Sequence, residues 1–233
     1  MGHLRPPNST ATATATVAAP PFLGHLISVD ATISHYLHTI TKPITPRFLL
    51  RFLELLADFR FFFPVVLSLF VATPSSSPLR TQLLLPLILC SFLDLLFIGF
   101  VKYLVRRSRP LYGNHDDYNA VVSVDNFSFP SGHSSRVSFI ATIFYLSQTA
   151  IVDAVVHLKA HGDPNVGLII DRWIGGNETV AANVLIFVVW VWALATAFSR
   201  VILGRHFVLD VFVGASCGVL EALFAFHFLK FQF

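Results

Sequence analysis

The chain has 233 residues, 55% hydrophobic and 12% charged, with a mean hydropathy of +0.69 and a formal charge of +3. A soluble domain carries about twice that charged fraction, so an ordinary soluble globule is excluded. Phe is heavily used, 24 residues, and the apolar residues fall in long runs, which points to an all-α, multi-pass transmembrane helical bundle in one domain. Cys90 and Cys217 both lie inside apolar runs. They offer neither a disulfide framework nor metal-ligand spacing and are read as packing residues.

Residues 1–21 carry Pro6-Pro7, an Ala-Thr alternation from Ala11 and Pro20-Pro21, a low-complexity composition that predicts a disordered tail. Its lack of acids is faintly like a plastid transit peptide, against which stands its single arginine, Arg5. Residues 22–233 are expected to form a single membrane-embedded domain. Phe22, Leu26, Val29, Ile33, Leu37 and Ile40 step by three or four, with Asp30, Ser34, His35 and His38 off that stripe. This is the pattern of an amphipathic helix lying on the membrane, or of a weak first span. His25, His35 and His38 are read as its polar face.

Thr45 as cap and Pro46 at the first helical position start the next helix. Arg47, Arg51, Glu54 and Asp58 then step along one stripe. The uncharged run 61–73 is too short to span alone, so its span reaches back to about Glu54, and Pro64 is placed to kink it. Further spans are expected at 83–105, 137–152, 180–198 and 207–228, making five with the amphipathic or weak segment as a sixth. Asp94, inside the 83–105 run, needs a partner or a proton.

Three stretches carry ionisable groups at span ends, where such groups are costly and usually functional. Residues 198–210 read F-S-R-V-I-L-G-R-H-F-V-L-D. His206 and Asp210, four apart, share a helical face. A carboxylate on one imidazole nitrogen leaves the other free as nucleophile or base. Arg200 has the planar fork suited to phosphate. On these residues alone, an ion pair at a helix end explains the stretch equally well.

Residues 102–110 read K-Y-L-V-R-R-S-R-P. Lys102, Arg106 and Arg109 step by four and three onto one helical face. Headgroup anchoring accounts for Arg106 and Arg107, but not for Lys102 inside the span. Residues 130–133 read P-S-G-H. At a helix start, the N–H groups of Ser131, Gly132 and His133 form an anion site, and Gly132 lets an oxyanion approach the backbone. Counting crossings puts all three stretches on one membrane face.

Together these stretches resemble the three signature motifs of the type 2 phosphatidic acid phosphatases: K-x-x-x-x-x-x-R-P at 102–110, P-S-G-H at 130–133 and S-R-x-x-x-x-x-H-x-x-x-D at 199–210. That superfamily also includes the vanadium haloperoxidases and glucose-6-phosphatase. The motif core spans about residues 83–228. The wider context, V-R-R-S-R-P and S-V-D-N-F-S-F-P-S-G-H, is most similar to polyisoprenoid diphosphate phosphatases and to plant lipid phosphate phosphatases of the beta type.

The resemblance implies metal-free phosphoryl transfer with no cofactor. His206 would attack phosphorus and form a phosphohistidine, with Asp210 holding its other ring nitrogen. His133 would protonate the leaving oxygen, then deprotonate water. Lys102, Arg109 and Arg200, with the N–H groups of Ser131 and Gly132, would stabilise the equatorial oxygens. Arg106, on the expected Lys102–Arg109 face, would take a second phosphate. The implied partners are the bilayer and a lipid phosphate, an isoprenoid diphosphate first, with phosphatidic acid or a sphingoid base phosphate as the alternative. No nucleic acid is expected, and a homo-oligomer is left open.

A haloperoxidase is a rival within the fold, and a transporter or channel a rival of another class that accounts for Asp94 and Lys102 but not for P-S-G-H. A zinc site from His133, His206 and Asp210 is opposed by the surrounding arginines. Lys42, Arg47, Arg51, Arg106, Arg107, Arg136 and Arg205 fall on the catalytic side, against Arg80, Lys159, Arg172 and Lys230 on the other. That bias predicts a cytosolic catalytic face, with the endoplasmic reticulum as the expected membrane and the plastid envelope as the alternative.

Overall fold

The computed structural model describes residues 21–113, 126–162, 167–168, 171–172 and 175–228. The expected tail lies outside them except for Pro21, as do Asp116, Asp117 and Asp125. Among the described residues every regular element is helical: α1 Pro21–Thr41, α2 Arg47–Leu56, α3 Phe59–Ala72, α4 Leu85–Val105, α5 Gly132–Leu146, α6 Gln148–His161, α7 Glu178–Ile202 and α8 Val208–Phe228. A π-helical turn, Arg80–Leu84, leads into α4.

The helix α4 with its π turn, α7 and α8 are each long and apolar enough to cross a membrane. Two of the expected spans are instead broken: α2 meets α3 at 47°, and α5 meets α6 at 68°. Counting each bent pair as one span gives up to five. The first break falls at Ala57-Asp58 rather than at Pro64, which sits inside α3 without ending it. Asp58 restarts the helix by accepting the Arg60 N–H at 2.9 Å, an ordinary N-cap. The second falls at Ser147, inside the run expected to be one span; its N–H closes α5 on the Ile143 carbonyl. At the start of α2, Pro46 is the N-cap and provides no side-chain hydrogen bond. Thr45, the expected cap, turns its hydroxyl back to the Thr41 carbonyl.

The central helix is α5. Residues 134–143 of it are all buried, so it is enclosed on every side rather than amphipathic. It packs most extensively against α8, then against α7 and α4. The approach to α8 depends on two glycines one turn apart. A Cβ at Gly214 would collide with the Ser131 backbone, and one at Gly218 with the Ser135 carbonyl. Small residues four apart let helix backbones meet in lipid, where no hydrophobic force pulls helices together.

Helix α1 is turned opposite to expectation. Asp30, Ser34 and His38 are buried, whereas Phe22, Leu26, Val29, Ile33 and Ile40 are exposed. The polar line of this helix therefore faces the protein, and the apolar stripe is left for lipid. Asp94 finds its partner in Arg136, 3.0 Å away, and Arg136 also donates to the Ala57 carbonyl at 3.1 Å. This buried ion pair ties α4 to α5 and to the α2–α3 break.

Adding a methyl at the α5–α8 crossing should be destabilising by about 1–3 kcal/mol, since backbone has to move. Gly218→Ala is expected to lower the melting temperature in detergent. Gly99→Ala, where among the described residues an added Cβ would meet nothing outside its own helix turn within 4 Å, serves as the control. Equal stability of the two variants would mean that the tight crossing does not exist.

Candidate active site

The centre of the site is the turn between α7 and α8. Gly204, with φ +67°, reverses the chain, and a Cβ there would press on Gly113, His38 and Tyr112. A left-handed backbone of this kind is cheap only for glycine. The amides of Arg205 and His206 both return to the Arg200 carbonyl, at 3.1 and 3.2 Å. His206 is thereby folded inward and is 2% exposed.

Its ring is held by Ser128: Nδ1 lies 2.6 Å from the Ser128 carbonyl oxygen. A carbonyl can only accept, so Nδ1 carries the proton and Nε2 keeps its lone pair. Asp210, expected to hold this nitrogen, stands 3.8 Å from it. Its Oδ2 accepts the Phe207 N–H at 2.9 Å and its Oδ1 is 2.6 Å from Arg107. Four-residue spacing placed the two side chains together, but the turn before α8 gives the carboxylate closer partners. Burial pushes the His206 pKa well below its ordinary 6.5, reinforced by the charges of Arg109, Arg200 and Lys102 and opposed by the Ser128 carbonyl.

Arg107, read from the sequence as a headgroup anchor, is instead ion-paired with Asp210. Its second guanidinium nitrogen is 2.7 Å from Asp30, so it bridges α1 to the α7–α8 turn, with its face 4.0 Å from the Phe207 ring centroid. The remaining oxygen of Asp30 accepts the Leu209 N–H, and the Ser34 hydroxyl accepts that of Val208. These are the orphan donors at the start of α8, so α1 caps α8 from outside. The Arg107 carbonyl also accepts the Ser128 N–H at 2.8 Å, fixing the strand of chain that holds His206. No periodicity separates Arg107 from Arg106, and only the Asp30-Ser34-His38 line in α1 hinted at a buried partner.

The helix expected to carry Lys102, Arg106 and Arg109 on one face ends at Val105. Arg106 adopts a left-handed conformation, φ 49°. It is exposed, with its guanidinium 4.6 Å from the Tyr103 ring centroid. The shared face therefore does not exist beyond Lys102, and Arg106 points away from the site. Lys102 is buried in the last turn of α4. Arg109 reaches the site by another route, donating to the Arg205 carbonyl at 3.2 Å.

Ser131 caps α5, accepting from Ser134. Its own N–H, expected to face an anion, donates to the Asp210 carbonyl at 2.9 Å. Gly132 and His133 remain as first-turn residues of α5. His133 Nε2 is buried without a hydrogen-bond partner among the described residues. Such an atom is rare in a native fold and marks a place where another group belongs. Lys102 and Arg200 both act electrostatically on His133 and on His206, so the three stretches do converge.

Arg200 is completely buried. Its fork meets Glu54 of α2, with Oε1 at 3.1 Å from one terminal nitrogen and 3.2 Å from the other. The same oxygen is 2.9 Å from Arg205. Glu54 was legible only as one member of a charged stripe. Among the described residues no group of three or more His, Cys, Asp or Glu side chains is placed to hold a metal ion.

Residues 83–233 match the PAP2 superfamily. Over 212 residues the chain is 45% identical to a probable lipid phosphate phosphatase beta of Arabidopsis thaliana, covering 91% of this chain and 93% of that one. Its fold is similar to the crystal structure of a transmembrane PAP2-type phosphatidylglycerolphosphate phosphatase from Bacillus subtilis. The TM-score is 0.59 at 21% identity, over 90% of this chain and 88% of the other. On the matched domain, the relative and the arrangement of helices, this chain belongs to the PAP2 superfamily.

Proposed function

We propose that the protein is a metal-independent lipid phosphate phosphohydrolase that works through a phosphohistidine, with isoprenoid diphosphates as its preferred substrates. The observation that carries this reading is the Ser128 carbonyl on His206 Nδ1, which leaves Nε2 as a neutral nucleophile amid Lys102, Arg109 and Arg200. The name of the Arabidopsis thaliana relative supports the lipid phosphate class. The isoprenoid preference rests on the sequence around the first two motifs.

In the first step the Nε2 lone pair forms a bond to phosphorus as the bond to the leaving oxygen breaks. His133 gives that oxygen a proton. The transferred group carries its charge on the equatorial oxygens, which the fixed cations and the first-turn amides of α5 stabilise. In the second step neutral His133 takes a proton from water, water oxygen bonds to phosphorus, and the N–P bond breaks. Asp210 acts as a positioning residue. At 3.8 Å from Nδ1, it opposes the positive charge that the imidazole gains on phosphorylation.

His206→Ala should abolish both phosphate release and phosphoenzyme formation while the protein still inserts and folds. His133→Ala should still label but turn over slowly. Unchanged activity in either variant would end this assignment. EDTA should have no effect; activity lost in chelator and restored by Mg²⁺ would show the reaction to be metal-dependent.

Arg107→Leu removes the bridge between Asp30 and Asp210 without removing a group that touches substrate. Misplacing the nucleophile by about 1 Å costs on the order of 10²-fold in rate. The loss should fall on kcat more than on KM, and phosphoenzyme formation should slow in parallel. A purely surface role for Arg107 would leave both constants unchanged.

The catalytic face is proposed to be cytosolic, in the endoplasmic reticulum, from the charge bias of the loops. Asn126 lies on the catalytic side and Asn177 on the other, each in a glycosylation sequence. In a glycosylating membrane, a glycan lost with Asn126→Gln and retained with Asn177→Gln would put the site in the lumen instead.

A further inference from the structure

The proposed mechanism gives Glu54 no task, although it stands at the Arg200 fork. It is carried by α2, whose Phe48, Leu49, Phe52, Leu55 and Leu56 are exposed. In a bilayer that face meets lipid, and Glu54 points the other way, toward α7. Its Oε1 lies 3.1 and 3.2 Å from the two terminal nitrogens of Arg200 and 2.9 Å from Arg205.

This one oxygen does not satisfy the fork. Arg200 is completely buried, yet its Nε and Nη1 have no hydrogen-bond partner among the described residues. The 3.1 Å approach to Nη1 is an ion pair without hydrogen-bond geometry. His133 Nε2 is open in the same way, and the charge of Arg200 acts on it. Buried polar atoms left open mark a place for another group. Glu54 therefore balances the charge of the fork but meets only part of its hydrogen-bonding capacity.

A carboxylate has two oxygens and one negative charge. So has the unesterified part of a phosphodiester, the group found in the headgroups of bulk phospholipid. Exchanging Glu54 for a diester gives Arg200 neither a further charge nor a further oxygen, and it sets the displaced carboxylate beside a like charge. A terminal phosphate brings a second charge and a third free oxygen, acceptors for the open Nε and Nη1. We propose that Glu54 is a specificity-determining residue, a built-in competitor that keeps phosphodiester headgroups out of the Arg200 fork and gives way to the terminal phosphate of a monophosphate or diphosphate. The inference rests on the proposed phosphatase reading and deepens it, because it assigns the choice between ester classes to α2. Selectivity of this kind comes from opposing the wrong ligand rather than from a tighter hold on the right one.

The test uses the full-length protein in neutral detergent micelles. Glu54→Gln removes the charge and keeps the shape. KM for a lipid phosphomonoester should fall about tenfold in this variant, and kcat should not rise. Replacing part of the detergent by phosphatidylcholine, at constant substrate fraction, adds a diester without adding net charge. It should leave the wild-type KM unchanged and raise that of the variant about tenfold. Glu54→Asp keeps the charge balance and withdraws the carboxylate by one methylene, so it should show the same changes in smaller measure.

Heat protection reads binding directly. Methyl phosphate should raise the melting temperature of both wild type and Glu54→Gln. Dimethyl phosphate should raise that of the variant and, at about tenfold the concentration, leave the wild type unmoved. If Glu54 only balances charge, Glu54→Gln would lower the melting temperature, leave KM unchanged or raised, and respond to neither phosphatidylcholine nor dimethyl phosphate; that result overturns the inference. A wild-type protein that responds equally to methyl and dimethyl phosphate, or to neither, also overturns it, whether or not a variant folds. Heat protection does not depend on turnover. A wild-type protein that hydrolyses no lipid phosphate but distinguishes the two esters would refute the phosphatase reading and leave the role of Glu54 standing.

Discussion

The site depends on one guanidinium. Arg107 spans Asp30 and Asp210 with separate nitrogens, at 2.7 and 2.6 Å. Two carboxylates brought together away from water would repel each other, and each would be costly to desolvate alone. The planar fork of arginine satisfies both at once, which the point charge of lysine cannot do in the same geometry. Around it the other contacts follow. Asp30 and Ser34 cap α8, Asp210 fixes the Phe207 amide, and the Arg107 carbonyl anchors Ser128. His206 is oriented at the end of this chain of contacts, although Arg107 itself does not touch it.

This arrangement also explains why α1 has its polar line inside. In a soluble protein that line would face water. Here Asp30, Ser34 and His38 are needed by α8 and by the turn after α7, where His38 Nδ1 lies 2.7 Å from the Ile202 carbonyl. The lipid-facing side must then be apolar, and the exposed Phe22, Leu26 and Ile33 provide it. Amphipathicity is set by which solvent each face meets, and a bilayer reverses the usual assignment.

Positive charge is concentrated on one side of the bundle, and its stability requires local counter-charges. Asp94 answers Arg136, Asp30 and Asp210 answer Arg107, and Glu54 answers Arg200 with Arg205. In the last of these the Glu54 side chain is 17% exposed while that of Arg200 is 1% exposed. On the proposed phosphatase reading, an incoming phosphate would compete with Glu54 for the Arg200 fork.

By itself the sequence determined the fold class, the family and the convergence of the three stretches. Long apolar runs require helices in a bilayer, where every backbone group must be satisfied internally. Parity of crossings then places 102–110, 130–133 and 199–210 on one face. Lys102, His133, Arg200 and His206 were legible because charge in or beside an apolar run is conspicuous. The tertiary structure decided what helical spacing could not. The end of α4 at Val105 sends Arg106 out and Arg107 in, since a left-handed residue cancels the 3.6-residue period on which the spacing argument rests. The breaks at Asp58 and Ser147 depend on caps and side-chain contacts rather than on hydropathy. The roles of Asp30, Ser128 and Glu54 depend on partners far along the chain: Asp30 and Arg107 are 77 residues apart, Ser128 and His206 78, Glu54 and Arg200 146. No local pattern encodes such pairings; they exist only once the helices have packed.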